Sequence, residues 1–511
     1  MSSRIEEVQL GLAEVANPDL GRTTSLLAAA TGVIAALILP ADVFGIAFVL
    51  AAVSAWTTVL SARPVAWKPY NVTLATISVL LVCMTAFKAS EWILAIDLVA
   101  AVGFAFAAVT DARSWERLII GAFTPLFRAF RSPAVLGRSL SYGRSDKAVK
   151  VIIGVAMGAA LLIVFGALFS SADSVFGHFL SGLLPNLPSA LPFRVFLFLF
   201  FSLGTVTLAI SGPRFERPSD LKINEAVSAL FGLKRGTDRS GPIDHLAWSI
   251  AIGSAIAMFA AFVFFQITVL FAGNQHVLTT QGLTYARYAR EGFFQLVVAA
   301  VLVIGVTWAA TRFGDRTASQ HHTQMKIMLT LLGTLTMVVL VSALWRLVLY
   351  ERAYGLSRMR LSVHAGIFWL AAIFVLMGVT TWLRTSHRLA PWMILLTGLT
   401  LLMLTLDSPD AVIARANLDV FARTGHIDTG YLSGLSADSV PEIVKLSEPL
   451  RSCVLNAEAA YIRKHRAWYT WNASRERARR LIAKLQPKLM AIQPQDCPHG
   501  SPQGLVVDGS F

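Results

Sequence analysis

Read for the spacing of apolar and polar positions, most of this chain shows neither the period of a half-buried strand nor that of a surface helix. It shows long unbroken apolar runs separated by short polar joints. A bilayer core of about 30 Å needs roughly 20 apolar residues per helix. Eleven runs approach that length, near 24–40, 43–60, 71–87, 92–110, 150–170, 195–211, 246–271, 292–312, 327–349, 361–383 and 389–406. The first four are short and pair into two hairpins, one turning at Pro40, Ala41 and Asp42, the other at Lys88 to Glu91. The pattern therefore predicts an all-α, polytopic transmembrane bundle. It divides into a cytoplasmic N-terminal segment (1–23), four short spans (24–110), a basic cytoplasmic segment (111–149) and a seven-span bundle (150–406). Glu6, Glu7, Glu14 and Asp19 occupy the place where a signal peptide would be basic and then apolar, so the N-terminus is expected to be retained.

After 406 the pattern changes to that of a soluble helical domain (407–494) with a loose tail (495–511). Ser408, Pro409 and Asp410 read as a helix start with a capping hydroxyl, and Gly425 reads as its stop. Further helices are expected from Ser439, over 446–467 and over 472–490. Between the fourth and fifth runs Trp115, Leu118, Ile119, Phe123, Leu126, Phe127 and Phe130 recur at helical spacing, with Arg113, Arg117, Arg128 and Arg131 largely off that stripe. This predicts an interfacial helix kinked at Pro125, lying on anionic head groups or packed on neighbouring spans. A shorter surface helix is expected over 226–233.

Composition agrees: of 511 residues, 55% are hydrophobic and only 14% charged, with a mean hydropathy of +0.62. That excludes an ordinary soluble or disordered chain. The formal charge of +14 could suggest nucleic acid, but the basic residues lie mostly between apolar runs, so no nucleic-acid partner is expected. With a cytoplasmic N-terminus the inside segments hold 23 Lys and Arg and the outside loops seven, which orients the chain by the positive-inside rule. An odd number of spans then puts the C-terminal domain outside the cytoplasm. Cys453 and Cys497 both fall in that oxidising compartment and can pair, two free thiols being the alternative; Cys83 lies within the third span.

LTYARYAREGFFQL at 283–296 and SPDAVIARANLDVFARTGHIDTGYLSGLSADSVP at 408–441 resemble two signatures of a widespread bacterial family of polytopic membrane proteins without an assigned function. SSADSVF at 170–176 and LWRLVLYERAYGLSRMRL at 344–361 are weaker echoes. The resemblance implies a protein of the bacterial inner membrane and carries over no catalytic residue.

Signatures of known catalysis are absent: there is no Walker loop, HExxH, GxSxG or paired CxxC, and no cofactor or metal is expected. His321 and His322 are adjacent in what reads as a polar cytoplasmic loop, a poor metal site. Sequons at Asn71 and Asn472 carry little weight in a bacterial host. Gly154 and Gly158 form a GxxxG suited to close helix packing. Ionisable residues inside the apolar runs are stronger pointers, because hydrocarbon penalises them. Asp97, Arg346 and His364 all fall on the external half of their runs, where one polar site could include them. Near Arg346 the outer loops supply Tyr350, Glu351, Arg352, Tyr354, Arg358 and Arg360, and the loop before the eighth run supplies Tyr285, Arg287, Tyr288, Arg290 and Glu291. Convergence of Tyr285, Tyr288, Arg290, Arg346, Tyr350 and Arg360 would suit a phosphate or carboxylate, since guanidinium groups bind such anions bidentately. The structural alternative is a network of Arg, Glu and aromatic side chains that staples the loops.

Three functions remain. The first is a non-enzymatic envelope protein whose partners are membrane lipids, an anionic lipid or lipid-linked intermediate at the outer face, and a periplasmic protein at the C-terminal domain. The second is a membrane-embedded transferase using a lipid-linked donor, disfavoured by the lack of a DxD or ExD pair in the outer loops. The third is a transporter, disfavoured by the lack of a clear internal repeat.

Overall fold

The computed structural model describes residues 20–39, 43–113, 136, 191–212, 245–271, 293–313, 319–383, 385, 388–464, 467–485 and 497. Among these residues every regular element is helical and there is no strand. The chain divides into two compact units, residues 1–233 with 464–476 and residues 234–463 with 477–511.

The first unit holds α1 (Arg22–Ile38), α2 (Ile46–Ala62), α3 (Pro69–Phe87), α4 (Glu91–Val109) and α5 (Leu191–Ala209). Pro69 opens α3 at a position where its missing N–H costs nothing. The turn at 88–90 is too short for anything but an antiparallel return, so α3 and α4 pack along their length around Leu74, Leu81, Ile93 and Leu94. Polar groups buried in that seam are satisfied across it: Ser78 Oγ donates to Ala101 O at 2.8 Å and Asn71 Nδ2 to Ala108 O at 2.7 Å. Hydroxyls also link α1 to α2, through Thr31–Ser54 at 2.8 Å and Ser61–Thr24 at 3.0 Å. α5 crosses α1 at Gly32, where a methyl group would overlap Ser202 and Phe198.

The second unit holds α6 (His245–Phe271), α7 (Phe293–Phe313), α8 (Ser319–Tyr354), α9 (Arg358–Trp382) and α10 (Leu389–Leu406), then α11 (Pro409–Thr424), α12 (Thr429–Ser433), α13 (Val440–Ile443) and α14 (Leu450–Lys464). A last helix, α15 (Ala473–Leu485), begins in the first unit and continues in the second. α8 is central, packing against α6, α7 and α9 around Ile252, Ala300, Leu332, Leu340, Ala343 and Leu370. α11 lies against α8, α9, α10 and the short helices that follow it.

Every expected apolar run except 150–170, which lies outside the described residues, falls on one of these helices. Among the described residues five helices are long and apolar enough to cross a membrane: 69–87, 91–109, 320–352, 358–382 and 389–406. Shorter apolar helices occupy 22–38, 46–62, 193–209, 248–264 and 296–307. The expected surface helices over 115–130 and 226–233 and the glycine pair Gly154 and Gly158 also lie outside the described residues.

Local expectations change in three places. His321 and His322 belong to the first turn of α8, not to a loop, because that helix extends well before its apolar stretch. Ser408 precedes Pro409 as expected, but its hydroxyl does not cap α11. Only Asp407 and Ser408 separate α10 from α11, and reversing the chain in two residues puts Ser408 in the left-handed region (φ 54°), where the capping geometry is lost. The helix expected over 446–467 starts at Leu450 and ends at Lys464, and a single 3-10 turn, Trp468–Thr470, follows.

Candidate functional site

The turn between α8 and α9 carries a polar cluster that ties it to the helices after α10. Gly355 ends α8 in the left-handed region (φ 72°), a conformation that costs a residue without Cβ little. Ser357 then caps α9 by accepting from Arg360 N. α11 is clasped onto this turn. The Arg358 guanidinium meets Asp410 through two bonds, Nε to Oδ1 at 3.1 Å and Nη2 to Oδ2 at 2.9 Å, and also donates to Gly434 O at 2.9 Å. Arg358 N donates to the Tyr431 hydroxyl at 2.9 Å, and Ser436 N donates to Asp410 Oδ2 at 2.9 Å. Asn417 Nδ2 reaches back from α11 to Leu356 O at 2.7 Å, and its Oδ1 sits where a Cβ on Gly355 would be.

The electrostatics follow from these contacts. Burial of the Asp410 side chain, 0% exposed, pushes its carboxyl up, but the bonds from Arg358 and Ser436 outweigh it and hold the group below the usual carboxylate range. Burial raises the Tyr431 phenol. Glu442, which binds Arg415 at 2.7 Å and also Lys445, is held low chiefly by the Arg415 hydrogen bond.

Beside the clasp, the Arg360 guanidinium lies over the Tyr350 ring at 4.3 Å and donates to Gly355 O. Arg346 lies one helical turn before Tyr350 on α8, at the i, i+4 spacing that shares a face. His364 Nδ1 approaches Glu351 Oε1 at 3.1 Å, joining α9 to the end of α8. Of the six expected ligand groups, Arg346, Tyr350 and Arg360 thus lie on α8 and the start of α9, the last two in direct contact. Tyr285, Tyr288 and Arg290 lie outside the described residues. Asp97, 0% exposed on α4, belongs to the first unit, whereas Arg346 and His364 belong to the second. Cys453 on α14 is bonded to Cys497, and Cys83 is free. Among the described residues no group of three His, Cys, Asp or Glu side chains could hold a metal ion.

Sequence reasoning missed the Arg358–Asp410 pair and its supports Asn417 and Tyr431. Their signal is present, since all four fall in the two family-like stretches 344–361 and 408–441, but the local pattern groups Arg358 with the other outer arginines and marks Asp410 only as part of a helix start.

These features define a class, an all-helical protein with several helices of membrane-crossing length and a polar clasp where α9 meets α11. Residues 74–446 match the family described as a domain of unknown function, DUF4153, and the chain belongs to that family. No curated protein and no solved structure matches the chain.

Proposed function

We propose that this is a non-enzymatic, eleven-span protein of the bacterial inner membrane that binds the anionic head group of a lipid or envelope intermediate at its outer face. One observation carries the reading: Arg360 stacked on Tyr350, with Arg346 a turn away, gathers two guanidinium groups and a phenol where two membrane-length helices meet. That combination favours phosphate and carboxylate groups. Tyr285, Tyr288 and Arg290 are the further groups that the preceding outer loop would bring.

The orientation, cytoplasmic N-terminus and external C-terminal domain, rests on the asymmetry of basic residues, and chain parity supports only that the two ends lie on opposite faces. Trp471 O accepts from Ile46 N, and Asn472 Nδ2 donates to Thr85 O and Lys88 O, so this C-terminal segment lies at the start of α2 and the end of α3. With α1 read as a span, Arg22 lies on the opposite side from Trp471, and an odd number of crossings between them fits the eleven-span reading. The described apolar helices are ten. The apolar run 150–170 of the sequence supplies the eleventh.

Arg346→Ala and Arg360→Ala test the site. Each should lower copurified anionic lipid per folded molecule, a lost charge-assisted bond costing about 1.5 to 3 kcal/mol, and Arg→Lys should restore only part. Lipid content by mass spectrometry and melting temperature are read on the same preparations. Lower melting temperature with unchanged lipid content would leave these residues a purely structural role.

A further inference from the structure

Residues 464–476 are flanked on both sides by residues of the second unit yet group with the first. The bonds of this strap are specific. Ile46 N donates to Trp471 O at 3.0 Å; Asn472 Nδ2 donates to Thr85 O at 2.9 Å and Lys88 O at 2.6 Å; the buried Arg475 donates to Phe44 O and to Thr470 O. Gly45 permits the approach, since a Cβ there would stand 2.8 Å from the Thr470 carbonyl carbon. Asn472 is buried, and its side chain is spent on these carbonyls and on capping α15 through Arg475 N at 3.0 Å.

Within this strap the aromatic residues divide. Tyr469 packs inward against the cluster of Leu39, Ala47 and Ala51, whereas Trp468 and Trp471 stay 65% and 43% exposed. Two exposed indoles three residues apart, on a strap otherwise tightly bonded, offer apolar rings with a polar N–H edge, the combination suited to a boundary between apolar and wet surroundings. Their level explains them. The strap covers the end of α3, a helix long and apolar enough to cross a membrane, and the end of a span is where hydrocarbon gives way to head groups. Indole is enriched at this depth, because its rings gain from leaving water while its N–H keeps a polar partner. We infer that Trp468 and Trp471 are inserted into the head-group region of the outer leaflet, so that the C-terminal segment docks on the lipid surface beside α2 and α3. The inference rests on the reading of α3 as a span, and the choice of the outer leaflet on the proposed orientation.

The test uses the full chain in vesicles of phosphatidylcholine and phosphatidylglycerol, in a Cys83→Ser background, with a nitroxide at Trp468→Cys or Trp471→Cys. Accessibility to oxygen and to a water-soluble nickel chelate is compared with labels at Leu80→Cys, on the exposed face of α3, and Arg423→Cys, exposed on α11. The oxygen-to-nickel ratio at positions 468 and 471 should be severalfold above that at 423 and below that at 80. A ratio equal to that at 423, or shielding from both reagents, would overturn the inference while a lipid-like value at 80 keeps α3 in the bilayer. Nickel access at 80 would sink both. Should neither cysteine variant fold, quenching by lipids brominated near the head group is compared between the wild type and Trp468→Phe. The wild type should lose more fluorescence, and equal loss would count against insertion.

Discussion

A carboxylate removed from water persists only where donors replace its hydration, and Asp410 has a guanidinium and a backbone N–H in that role. Arg358→Ala would strip that buried charge of its guanidinium partner, at a cost of about 2 to 3 kcal/mol. Because its folded pKa lies below the ordinary value, Asp410 contributes stability that is present above about pH 4 and lost as pH falls through the folded value. Glu442, held low mainly by Arg415, and Glu448, held low by Ser452 and Arg451 against burial, act in the same direction. Thermal unfolding followed from pH 7 to pH 3 should therefore show a falling melting temperature below about pH 4 in the wild type. Asp410→Asn should start lower and decline less steeply, and an unchanged slope would remove Asp410 from this role. At this scale the residue types were legible in the sequence and their pairings were not, since nothing local tells Arg358 which of the following carboxylates it will meet.

Among elements, the α8–α9 turn and α11 hold one another through Gly355 and Asn417. Alanine at position 355 would need a left-handed backbone, costing about 1 kcal/mol, and would also press on Asn417. Asn417→Ala removes that contact while losing the bonds to Leu356 O and Ile413 O. The double variant should thus be less destabilised than the sum of the two single ones, by about 1 kcal/mol in a chemical-denaturation cycle. Strict additivity would mean that the turn and α11 are not coupled here. Pro409 and Gly425 marked the ends of α11 in the sequence because proline and glycine act through their own backbone. Ser408 misled because the two-residue connection, not the serine, sets its dihedral angles.

For the whole molecule, the proposed orientation rests on the sequence's count of 23 basic residues in one set of segments against seven in the other. A reporter active only outside the cytoplasm should work when fused after Phe511 and stay silent when inserted within 214–239. The opposite pattern would reverse the orientation and move the Arg346–Arg360 cluster to the cytoplasmic face. The sequence by itself determined the helical class and the positions of the long apolar helices, because the transfer of apolar residues out of water is summed run by run and needs no knowledge of neighbours. Only the tertiary structure decided that Asn472 would close the end of α3, 384 residues from Lys88, and that Arg358 would hold Asp410, 52 residues away. Such bonds need two distant segments at one place, and that meeting is settled by how the helices pack around shared cores and not by the local pattern of either segment.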